Sequence, residues 1–179
     1  MPATLTSLLP TPLHPAVVHL PMALAVLVPL FAIGALVATH RGARPMRSWS
    51  IAVAMFMALS ASAWLSIETG EDQEDKVERL VPKAAFETHE EAADAFLWLS
   101  VGVLGIAAAG LLNGRVGGPA RILATAGSLA LLVAGYRVGH SGGALVYTHG
   151  AANAYVQKTA ADISRNSTPT PLTEDRHAR

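Results

Sequence analysis

From Met1 to His40 the chain carries no Asp, Glu, Lys or Arg, and two further stretches, Ser48 to Ile67 and Ala95 to Gly114, are equally free of charge. A helix crossing a bilayer needs roughly 20 predominantly apolar residues, and each of these runs is long enough. A fourth run, Ile122 to Tyr136, is shorter, but Arg121 and Arg137 bracket it and can reach the two interfaces with their long stems. The pattern predicts an all-α integral membrane four-helix bundle, with helices over about 15–39, 48–67, 92–112 and 119–139 inside one domain, residues 1–155. The polar stretch 156–179 is expected to be a flexible tail.

A soluble bundle would need a polar face recurring every 3.6 residues. The segments AVAMFMALSASAWL and LWLSVGVLGIAAAGLL offer only scattered serines. Overall, 51% of the chain is hydrophobic and 15% charged, against about 25% charge in an ordinary soluble domain. No basic region precedes the first apolar stretch, so a cleaved leader is not expected. The chain contains no cysteine, which excludes disulfides, thiolate metal sites and covalent c-type haem attachment. A formal net charge of zero gives no footprint for nucleic acid.

Position gives the charges their meaning. Arg41, Arg44 and Arg47 lie between the first two helices, and Arg115 and Arg121 between the last two, with no acid among them. Short loops rich in Arg stay in the cytoplasm. The segment from Glu68 to Asp94 holds ten acids against Lys76, Arg79 and Lys83, and is expected on the opposite side. Both termini then share that side, which in a bacterial inner (cytoplasmic) membrane is the periplasm.

This topology gathers five of the seven histidines. His14 and His19 open the first helix, His89 precedes the third, and His140 and His149 follow the fourth. All five fall at the periplasmic end, whereas His40 is beside Arg41 and His177 is in the tail. A single histidine near a helix end is ordinarily an interfacial polar residue, but ionisable groups converging at membrane depth mark relays or cofactors. Neutral imidazole is the commonest metal ligand and a usual axial ligand of haem iron. In HPAVVHLP, Pro15 suits a first helical position and Pro21 is expected to kink the first turns. His14 and His19, five residues apart, face different ways. Thr88-His89-Glu90-Glu91 reads as a capping box at the start of the third helix. The stretch GHSGGALVYTHG after the fourth helix reads either as a helix cap and turn or as backbone open to a flat ligand.

The HPAVVHLPMAL opening, the histidine beginning the third helix and the GGALVYTHG close resemble a membrane family, domain of unknown function 2231, over roughly residues 10–155. The matching positions are His14, Pro15, Val18, His19, Pro21, His89, Gly143, Leu145, Val146, Tyr147, His149 and Gly150. Leu20 stands where that family often has Phe, and Ala151-Ala152-Asn153 departs from its usual continuation. The resemblance implies a four-helix membrane protein sometimes associated with redox proteins, and it implies no particular reaction.

Three functions compete. The first is b-type haem and electron transfer, with metal ligands drawn from His14, His19, His89 and His149 for one or two haems and His140 in reserve. Arg137, Gly143 and Tyr147 would complete the cofactor-binding set, Arg137 by pairing with propionates. Its partners would be quinol or a periplasmic carrier, a c-type cytochrome or a cupredoxin, within a larger membrane complex. The second is a copper or zinc site facing the periplasm, helped by carboxylates such as Glu68, Glu71 or Asp72. The third is a non-catalytic structural subunit, its helices packed through small residues. No nucleophile with a paired base, phosphate loop or HExxH motif is present, so an electron carrier is favoured over a self-contained enzyme.

Overall fold

The computed structural model describes residues 12–155, so the tail expected over 156–179 lies outside the described residues. Six helices follow in order: α1 His14–Val17, α2 His19–His40, α3 Pro45–Glu71, α4 Glu74–Val77, α5 Lys83–Ala109 and α6 Gly117–Tyr147. No strand occurs among the described residues. Four segments are long and apolar enough to cross a membrane: His14–His40, Pro45–Glu71, Lys83–Ala109 and Gly117–Tyr147. They pack as a closed ring, α2 on α3, α3 on α5, α5 on α6 and α6 on α2, with α1 seated against α3.

The spans are longer than the charge-free runs. α5 begins at Lys83 rather than near Ala92, and α6 continues to Tyr147 rather than ending near Gly139. Thr88 is therefore inside α5, where its hydroxyl donates to the Ala84 carbonyl 2.7 Å away, and it caps nothing. The helix starts instead after Pro82, whose extended backbone turns the chain into it. Likewise Gly139, Gly142 and Gly143 are helical residues rather than a cap or turn. The first span breaks at Val18, ahead of Pro21, and the helix carries Pro29 in its interior. At the other end of α2, Gly42 adopts φ 92°, and the amides of Gly42 and Ala43 bond back to the carbonyls of Thr39 and Ala38. This closing motif suits a glycine, which tolerates left-handed backbone without penalty.

Residue size is distributed as a bilayer requires. The buried positions include Ala32, Ala52, Ala107, Ala124, Ser100 and Ser128, while Leu30, Met57, Trp98, Leu123 and Val133 are exposed. In water such a surface would aggregate. In lipid it is neutral, and small interior residues let the helices approach closely. The buried hydroxyls of Ser62, Ser66, Thr69, Ser100, Thr125 and Ser128 donate to carbonyls three or four residues earlier, so no bare polar group is left to them.

Two larger contacts lock the end where the Arg-rich loops lie. Trp49 is fully buried and its indole N–H donates to the Ala107 carbonyl at 2.8 Å. The Arg121 guanidinium donates to the carbonyls of Gly110 (2.7 Å) and Leu112 (3.2 Å), so it caps the end of α5 instead of only reaching for the interface. A side chain at Gly110 would collide with Trp49 and with the Ala107 carbonyl.

Candidate cofactor site at the histidine end

His14 opens α1 half-buried, and its Nδ1 lies 2.8 Å from the Ser66 carbonyl on α3. A carbonyl can only accept, so Nδ1 carries the proton and donates. Thr69 Oγ1 lies 3.5 Å from the same nitrogen and already donates along its own helix. The ring lies flat enough on α3 that a Cβ built at Gly70 would approach its Cε1 to 3.2 Å. Gly70 is thus the floor of this seat.

His89 repeats the arrangement on the second helix pair. It is half-buried in the second turn of α5, and its Nδ1 lies 3.0 Å from Ser141 Oγ on α6. That hydroxyl also lies 3.0 Å from the Val138 carbonyl, and when it donates there the imidazole donates to it. A Cβ at Gly142 would come within 3.0 Å of the His89 Cε1. His14 therefore holds its proton on Nδ1, His89 does so while Ser141 donates to Val138, and in that form each ring keeps its lone pair on Nε2.

The two hydrogen bonds span the same 52 residues of sequence. The shift that carries His14 to His89 also carries Ser66 to Ser141, Val28 to Val103, Ala32 to Ala107 and Phe56 to Leu131, and the last three pairs are buried on both sides. The bundle is two similar helix pairs, each presenting one anchored imidazole at the same end. Along α6, glycines receive side chains from the neighbouring helices: Val103 at Gly127, Phe96 at Gly135, Met22 at Gly139 and His89 at Gly142.

The remaining sequence candidates are placed differently. His19 is exposed at the start of α2. His140 is exposed and stacks on Tyr136, with ring centroids 5.9 Å apart and planes 15° from parallel. Arg137 is exposed, and Tyr147 is 90% exposed. Gly143 has open space where a side chain would be, and His149 is half-buried just past α6. Among the described residues no three His, Cys, Asp or Glu side chains gather where one metal ion could bind them. Ser66, Gly70 and Gly142, and the hydroxyl role of Ser141, were not read from the sequence. The equal spacing of His14–Ser66 and His89–Ser141 was the available signal.

A family model described as a predicted membrane protein, DUF2231, matches residues 10–155, and the chain belongs to that family. No curated protein and no solved structure matches it.

Proposed function

We propose that this DUF2231 membrane protein uses His14 and His89 as the paired ligands of a redox cofactor, b-type haem, for electron transfer. The observation behind this reading is the shared anchoring: both half-buried rings have Nδ1 within hydrogen-bond distance of an oxygen on a neighbouring helix, which leaves Nε2 as the donor atom. Ligating histidines ordinarily hold their second nitrogen in this way, which fixes ring orientation and raises donor strength. His14 and His89, from different helices, would hold the haem through their Nε2 atoms. Haem bound there would supply one-electron chemistry, with quinol in the bilayer or a carrier at the membrane surface as the exchange partner.

His14 and His89 have distinct duties in this reading. The Ser66 carbonyl is part of a helix backbone and cannot reorient, so His14 is the rigid ligand. Ser141 passes the His89 hydrogen bond on to Val138 and can adjust by rotating its hydroxyl. His19, His140 and Arg137, all exposed, would serve the surface where a carrier or further membrane subunit docks. The second reading is a copper or zinc ion on the same side, although among the described residues no three His, Cys, Asp or Glu side chains gather to hold one.

The test is the absorption spectrum of purified protein, oxidised and dithionite-reduced, together with iron and copper content. The expected result is a low-spin haem spectrum with stoichiometric iron, lost in His14→Ala and in His89→Ala and retained in His19→Ala and His140→Ala. Stoichiometric copper without iron would select the second reading. Protein holding neither metal, with spectrum and stability indifferent to both alanine variants, would leave a structural subunit and overturn the proposal.

A further inference from the structure

At the end of the bundle opposite the histidines, α2 and α3 leave a groove of about 450 Å³. Leu30, Phe31, Gly34, Ala35 and Ala38 form one wall along α2, and Arg47, Ser48 and Ile51 form the other along α3. The notch exists because Gly34 has no side chain and nothing lies within 4 Å of where its Cβ would be. The α2 wall runs from Leu30 to Ala38, roughly 12 Å along the helix axis. Its far end is apolar and its near end carries a guanidinium.

That guanidinium has no ion-pair or hydrogen-bond partner among the described residues, where the one ion pair is Lys83–Glu87. None can come from its own surroundings. Every Asp and Glu among the described residues falls between Glu68 and Asp94, and Glu68 itself is roughly 30 Å up α3 from Arg47. Arg121, near the other loop of the same end, is occupied in capping α5. Arg41 and Arg44 stand beside Arg47 in sequence and add to the positive field. No Asp or Glu among the described residues supplies an anion for Arg47.

We propose that the α2–α3 groove is a binding site for an anionic glycerophospholipid, with an acyl chain along Leu30, Phe31, Gly34 and Ile51 and the phosphate on Arg47 and Ser48. Both halves of the ligand are demanded together. The groove lies on a span whose outer surface meets lipid, and its charged end falls where a span leaves the hydrocarbon. Arginine matches phosphate geometry with paired N–H donors, and basic pockets between transmembrane helices recognise anionic headgroups in this way.

The experiment is native mass spectrometry of the detergent-solubilised full chain titrated with phosphatidylglycerol or phosphatidylcholine of matched acyl chains. Wild type is expected to retain phosphatidylglycerol preferentially. Arg47→Gln should lower that preference about fivefold, the worth of one basic residue near an anionic headgroup. Gly34→Leu, which fills the open notch, should weaken both lipids while circular dichroism stays helical. Arg115→Gln, on the other loop, should leave the preference unchanged. Equal retention of the two lipids by wild type would overturn the proposal, as would a preference that survives Arg47→Gln. Phosphatidylglycerol binding that persists in Gly34→Leu and is competed away by inorganic phosphate would reduce the site to a bare anion site. A groove closed by a second copy, seen as a dimer that excludes lipid and is broken by Gly34→Leu, would equally refute it.

Discussion

The two helix pairs of the bundle anchor their histidines with the same spacing but by different means. In α1–α3 the imidazole of His14 donates to a main-chain carbonyl, which no substitution can remove. In α5–α6 the imidazole of His89 bonds a side-chain hydroxyl, which one substitution deletes, with the Val138 carbonyl as a second acceptor. The pairs differ again at the opposite end, where the second uses Arg121 to close its own α5 and the first leaves Arg47 facing a groove. A common architecture has thus been finished twice, once rigidly at the histidine and openly at the arginine, once the other way round.

Substitutions can break this comparison, beginning with the contact that joins the pairs. Trp49→Phe removes the indole bond from α3 to the Ala107 carbonyl of α5 and leaves a small void, so it should cost about 2 kcal/mol. Thermal unfolding in detergent measures this, and an unchanged midpoint would mean that the pairs are not held together there. Gly142→Val should come next, at about 1–3 kcal/mol, because the Cβ alone comes within 3.0 Å of the His89 ring and the two further methyls must displace it. Gly70→Val, at 3.2 Å from His14, should cost less; the reverse order would contradict the two seats as described.

Serine substitutions sharpen the difference. Ser141→Ala should destabilise by about 1 kcal/mol, whereas Ser66→Ala keeps the carbonyl that His14 uses and loses only a bond from Ser66 to its own helix, about 0.5 kcal/mol. Nitrogen chemical shifts of the imidazoles provide a second readout: His14 should hold its Nδ1–H form in both variants, and His89 should lose that preference only in Ser141→Ala. The smallest effect belongs to Ser60, whose buried hydroxyl has no partner and whose counterpart in the second pair is Gly135. Ser60→Ala should be neutral or stabilising by up to about 1 kcal/mol, and a clear loss of stability would reveal a hydrogen bond made in the membrane.

Much of this architecture is legible in residues whose free energy depends on the solvent rather than on neighbours. Arg41, Arg44 and Arg47 cannot enter hydrocarbon cheaply, so the spans between charged segments announce themselves. Helix ends are less legible. The acids Glu87, Glu90, Glu91 and Asp94 look like a boundary, yet α5 runs straight through them, because a helix continues beyond the bilayer whenever its exposed faces can be hydrated. Thr88 illustrates the same ambiguity: Thr-x-x-Glu is a cap only where the backbone before it is extended, and that occurs at Pro82 instead. The GHSGGALVY stretch reads either as a cap and turn or as backbone open to a flat ligand, but its glycines are helical, and Gly139 and Gly142 receive Met22 and His89.

By itself, the sequence determined that the chain is a four-span membrane protein and which histidines belong to one end, since burying charge in lipid is prohibitive and chain direction alternates. The tertiary structure decided which of those histidines are anchored across helices. His14 and His19 differ by five residues, and only the packing of α1 on α3 and α5 on α6 sets which rotational face of each helix looks inward. It also decided the tautomer, because a proton on Nδ1 is specified by an acceptor that a different helix supplies. Hydration acts residue by residue and can be read along a chain; a hydrogen bond across 52 residues exists only once the helices have been placed against each other.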